Sequence, residues 1–138
     1  MVDEMQYEVE LPATPAAVST ARQAVSEFAA GHGADRERVA VAVSEAVANA
    51  VVHAYPGKRV GPVRIRAWTD NDAVRVAVVD QGMGLGSFPG RAPGRAPGLG
   101  LPLMGLIADA LTVASTQLGV EVVMAFGRHL RDQTRRPD

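Results

Sequence analysis

Cysteine is absent from the chain, which excludes disulfides, thiolate metal sites and thiol nucleophiles at once. No apolar run approaches the ~20 residues that a membrane-spanning helix needs. A dominant charge is lacking too. The 14 lysines and arginines stand against 15 aspartates and glutamates, so nothing argues for a nucleic acid or an acidic membrane surface as partner. The N-terminus, Met1-Val2-Asp3-Glu4, is acidic and does not read as a signal peptide. The expectation is a cytoplasmic protein without membrane segments. The length, 138 residues, suits one domain with a real core.

What is present is patterned. Gln6 to Leu11 alternates, with Tyr7, Val9 and Leu11 on one side and Gln6, Glu8 and Glu10 on the other, which predicts a half-buried strand ended by Pro12. Thr14-Pro15 opens a helix, threonine as N-cap and proline at the first helical position. Its apolar face is Val18, Ala21, Val25, Phe28 and Ala29, and Gly31 or Gly33 ends it.

A second helix starts near Asp35, a fitting N-cap, with Glu37 at the positive end of the dipole. It stops at Tyr55-Pro56-Gly57. Val39, Val43, Ala46, Val47, Ala50 and Ala54 form its core stripe. Glu45, Asn49 and His53 recur four apart and form another stripe, among Val41, Ala48 and Val52. No lysine or arginine lies within reach along the helix. A carboxylate and an amide among apolar neighbours need partners. Either a ligand from outside the helix supplies them, or the two are plain surface groups on an alanine-rich helix. For His53, capping of the helix end outweighs chemistry.

Two alternating strands follow. Val63, Ile65 and Ala67 are offset from Arg64, Arg66 and Trp68, and Val74, Val76 and Val78 from Arg75, Ala77 and Val79, around the turn Asp70-Asn71-Asp72. They predict an antiparallel pair with a wet arginine face. From Gln81 to Gly100 no hydrophobic period survives. Gly90-Arg91-Ala92-Pro93 repeats as Gly94-Arg95-Ala96-Pro97. Residues 85–100 read as a functional lid, or across the repeat as a linker lengthened by duplication. A short helix over 101–108, strands over 111–115 and 120–126, and a fraying tail over 129–138 complete the chain. Helices cannot cross between every pair of strands in this order. The predicted class is α+β: one domain over 1–138, a two-layer sandwich whose mixed, mostly antiparallel sheet carries helices on one face.

Three features stand in order: Glu45 with Asn49 on a helix, Asp80-Gln81-Gly82-Met83-Gly84 at a strand exit, and Gly98-Leu99-Gly100 before a helix. Each alone is common. Together they resemble the Bergerat-type ATP-binding domain shared by gyrase B, the heat-shock chaperone ATPases, histidine kinases and the mismatch-repair ATPases, over about Leu11 to Phe126. Within that superfamily, Glu45-Ala46-Val47-Ala48-Asn49-Ala50-Val51-Val52-His53-Ala54-Tyr55 is most similar to the anti-sigma factor serine kinases of the RsbW/SpoIIAB type.

The resemblance implies a division of labour. Asp80 would accept a hydrogen bond from the adenine amino group and penalise guanine. Gly82 and Gly84 would admit the ring close to the backbone. Asn49 would give its carbonyl oxygen to Mg²⁺, an ion content with one protein ligand plus phosphates and water. Gly98, Leu99 and Gly100 would offer backbone N–H groups and a helix start to the phosphates. Arg91 or Arg95 would reach the γ-phosphate, and Glu45 would be the general base. One departure is visible: many members carry Gly-Thr where this chain has Gly119-Val120, so the hydroxyl is lost unless Thr112 or Thr116 supplies it.

The implied function is an ATP- and Mg²⁺-dependent serine/threonine protein kinase. It would phosphorylate an anti-sigma factor antagonist and sequester a sigma factor, as a homodimer. The alternative is an ATP-binding regulatory module of the same fold without phosphotransfer.

Overall fold

The alternating segments pair into one five-stranded sheet in the order β1-β2-β3-β5-β4, with β1 Gln6–Pro12, β2 Pro62–Thr69, β3 Ala73–Asp80, β4 Ala110–Thr116 and β5 Gly119–Gly127. This is a computed structural model, which describes residues 6–54, 60–82, 100–116 and 119–128, without the side chains of 53, 100–103 and 116. The sheet is antiparallel, with helices on one face, as the expected mixed, mostly antiparallel sandwich implied; every strand pair among the described residues runs antiparallel. The register puts Leu11, Val63, Asp80 and Val120 in one rank across the sheet, and Val9, Ile65, Val78, Val122 and Val113 in the next. That face is the core side, where Val63, Ile65, Val74, Val76, Met124 and Phe126 are all buried. On the other face Arg64 pairs with Glu10, and Arg66 lies over the Trp68 ring. The arginine face is outward, as predicted, and only partly wet: Ala77 beneath it is fully buried.

Helix α1 spans Pro15–Gly31. Thr14 holds the N-cap position, but its side chain makes no capping bond. Gly33 takes φ +92, and Ala34 N–H reaches back to Ala29 O (2.9 Å), closing the helix end in the left-handed turn that glycine permits. Helix α2 spans Arg36–Asn49, and Asp35 Oδ1 accepts from Glu37 N–H (2.9 Å) and Arg38 N–H (3.1 Å). Short helix α3, Gly100–Ile107, packs against α2 and plants Met104 in the core. Among the described residues no helix is long and apolar enough to cross a membrane.

The second helix does not run as one α-helix to Tyr55. After Asn49 it continues as a π-helical turn, Ala50–Ala54. Residues four apart drift round an α-helix, and a wider turn takes some of that rotation back. Ala46, Ala50 and Ala54 thereby all stay buried. The turn Asp70-Asn71-Asp72 closes as expected: Asp70 Oδ1 accepts from Asp72 N–H (2.9 Å) and Ala73 N–H (2.8 Å). Arg128 then ties this turn to the end of α1, donating to Asp70 O and to His32 O.

Candidate functional site

Glu45 and Asn49 stand one turn apart on α2, both half-buried, about 6 Å apart in rise. Neither has a hydrogen-bonding or ionic partner among the described residues. Beside them Val41 is 43% and Val52 64% exposed, so the described residues leave this side of the helix uncovered. Asn49 is the last residue of α2, and the π turn begins directly after it. Turns of this type cluster at functional sites because they displace the side chains around them.

Asp80 closes β3 on the core side of the sheet. It is buried, at 7% exposure. Its Oδ1 accepts from Gly82 N–H (3.0 Å), and the backbone N–H of Val120 on β5 also donates to it. Burial pushes its carboxyl above the usual aspartate value, and those two hydrogen bonds pull the other way. The result is an acceptor held at the mouth of the core, poorly solvated and rigidly aimed.

Two glycines bring the pieces together. A Cβ on Gly82 would lie 1.8 Å from Ala54 O, so the turn after β3 rests on the backbone of the π turn, and only glycine lets it. A Cβ on Gly119 would lie 2.0 Å from Asp80 O, and its φ is +139. Gly82 was expected to make room for a ring; here it also has a purely internal reason, the contact with Ala54. The segment carrying Asp80 is thus held against the π turn that follows Asn49.

The register settles where hydroxyls can stand. Val120 pairs with Asp80, and Ser115 with Val120. Thr112 pairs with Val123 on the outer face and therefore cannot stand in for a threonine at 120. Thr116 pairs with Gly119, and its side chain is outside the described set. Ser115 shares Asp80's face two strands away, about 10 Å off; the strand alternation could have singled it out once the register was known. Gly84, Arg91, Arg95, Gly98 and Leu99, like the proposed lid and tail, lie outside the described residues, as does the His53 side chain. Gly100 is placed as the first residue of α3.

Among the described residues no group of three or more histidines and carboxylates could hold a metal. A divalent ion at this site would rest on one amide oxygen, that of Asn49, and on the phosphates of its nucleotide. The hard, half-buried and unpartnered oxygen fits such an ion.

A two-layer domain with a buried, hydrogen-bonded carboxylate at the end of a central strand, and an unpartnered carboxylate and amide on the helix packed over the sheet, has the build of a nucleotide-binding ATPase domain. The comparison with known families agrees: residues 11–126 match the histidine kinase-like ATPase domain, and the chain belongs to that family. It is 35% identical over 109 residues to the anti-sigma F factor of Caldanaerobacter subterraneus, covering 71% of this chain and 76% of that protein. It is 34% identical over 95 residues to the anti-sigma F factor of Clostridium beijerinckii, covering 62% and 66%. With the serine-protein kinase RsbW of Bacillus velezensis it shares 40% over 78 residues, 54% of this chain but only 49% of that protein. The chain thus spans about half the length of that kinase. Among solved structures, the RsbU and RsbW domains of a Mycobacterium tuberculosis protein superpose with a TM-score of 0.63 at 24% identity, over 90% of this chain and 33% of that one. This last likeness speaks for the fold alone.

Proposed function

We propose that the protein is an ATP- and Mg²⁺-dependent serine/threonine protein kinase that also acts as an anti-sigma factor. The observation that carries this reading is the unpartnered pair Glu45 and Asn49, abutting the turn that holds Asp80. Asp80 accepts from the adenine amino group. Gly98, Leu99 and Gly100, with Arg95, hold the phosphates. Asn49 holds Mg²⁺, which supplies charge neutralisation on the phosphate oxygens. Glu45 takes the proton from a serine hydroxyl of the antagonist protein as its oxygen bonds to the γ-phosphorus. The bond from that phosphorus to the bridging oxygen breaks, and ADP leaves. The names of the relatives support the two protein partners, a sigma factor and an antagonist. Homodimer formation belongs to the same proposal. Edge strand β4, ALTVAST, carries no charge to blunt it.

A second reading has one observation in its favour. Val120 lies beside Asp80, where the resemblance expects a hydroxyl. On that reading the domain binds ATP and transfers nothing. Glu45→Ala separates the two. A kinase keeps nucleotide binding and loses transfer to the antagonist by about 10²–10⁴. A wild-type protein that binds ATP and labels no partner is the binding module.

A further inference from the structure

Arg38 does something the sequence pattern does not announce. It lies in the first turn of α2, the helix of Glu45 and Asn49. Its Nε donates to Ile107 O (3.1 Å), as does its Nη2, and Nη2 also donates to Asp109 Oδ1 (3.0 Å). Ile107 ends α3, so its carbonyl is one of those a helix leaves unpaired. Asp109 in turn accepts from Gly127 N–H (2.6 Å) and donates its own N–H to Ala125 O (2.8 Å). The guanidinium carbon stands 6.0 Å from the ring centroid of Phe126, itself buried. One planar group therefore joins α2, the end of α3 and the start of β4.

We infer that Arg38 is a positioning residue for the phosphate side of the nucleotide site, an inference that rests on the function proposed above. Helix α3 has eight residues, too few to hold itself: isolated helices below ~12–15 residues are marginal in water. Leu106 on it is 83% exposed. Its anchors are Met104 in the core and the clamp at its C-terminal end, where a cation is also favoured by the helix dipole. Helices α2 and α3 pack together, and the first turn of α2 meets the last residue of α3 through Arg38. Glu45 and Asn49 lie about 10 and 16 Å along α2 from Arg38, away from its contact with the last residue of α3. Arg38 cannot touch a nucleotide bound there. It sets the spacing between the helix carrying the base and the helix whose start faces the phosphates. The purine end of the site is built separately. Val120 is six residues from Phe126 on β5, about 20 Å away. Loss of the clamp should therefore loosen the grip on phosphates and spare the grip on the base.

The test is calorimetric titration of the full chain with Mg·ATP and, separately, with adenosine, for wild type, Arg38→Ala and Arg38→Lys. The expected result is Mg·ATP weakened about tenfold in Arg38→Ala, adenosine changed by less than about twofold. Arg38→Lys should fall between, since an ammonium can meet Ile107 O or Asp109 but cannot fork across both. Unchanged ATP binding in Arg38→Ala overturns the inference. So does an equal loss for ATP and adenosine, the mark of general loosening. If Arg38→Ala does not fold, Arg38→Lys carries the test through the same ratio of the two affinities. A wild-type protein that binds neither compound defeats the proposed function itself, and this inference with it.

Discussion

Asp80 carries two opposed demands. As a buried carboxylate it costs the empty protein stability, because burial raises its pKa above that of the unfolded chain. The raised pKa means that its cost grows as pH rises from the unfolded pKa through the folded one, and is fully present above the folded one. As an adenine acceptor it has to be ionised. Asp80→Asn is therefore expected to leave the empty protein at least as stable at pH 7, by thermal denaturation, while weakening Mg·ATP at least tenfold. In the wild type, ATP affinity is expected to fall on acidification at a higher pH than an exposed aspartate would dictate, and Asp80→Asn to abolish that dependence. Calorimetry from pH 5 to 8 checks both. At Gly82 the constraint is steric. Gly82→Ala puts a methyl group 1.8 Å from Ala54 O, so backbone must move. The expectation is a loss of about 2 kcal/mol or more in urea denaturation, with nucleotide binding lost alongside.

At the scale of elements, the β2–β3 hairpin offers a separate check, far from the site. Asp70 serves the Asp72 and Ala73 N–H groups and pairs with Arg75, and the hydrogen bond from Arg75 is the main cause of its lowered pKa. A depressed pKa gives stability that is present above the unfolded value and lost as pH falls through the folded one. Asp70→Ala should cost about 1 kcal/mol at neutral pH through the two backbone bonds. The half-exposed ion pair adds little. The mutant should lose less stability than wild type on acidification below pH 4. These elements were legible because their causes are local. Alternation fixed the inner face of β1, β2 and β3, and Asp35 and Pro15 marked helix starts by their own chemistry. What escaped had distant causes. The π turn is a shift in hydrogen-bond partner with no compositional mark. Thr14 fills the cap position without making the bond. The contact of Gly82 with Ala54 and the reach of Arg38 to Asp109 join residues that no periodicity connects. The motif singled out Asp80, Asn49 and Glu45 as candidates, while the contact that holds the turn after Asp80 against the turn after Asn49 lies in that glycine.

At the scale of the whole molecule, the described residues form an antiparallel sheet with three α-helices on one face. On the proposed function, the sheet end at Asp80 and Val120 would supply the base-recognition side, α2 the carboxylate and amide, and α3 the helix start. That function requires an adenine nucleotide to bind through Asp80. Titration of the full chain with Mg·ATP and with Mg·GTP under identical conditions tests it most directly. The expected result is saturable ATP binding preferred over GTP by at least about tenfold, the factor that follows when an oxo group faces a carboxylate in place of an amino donor. Equal affinity for the two, or no saturable binding of either, would contradict it.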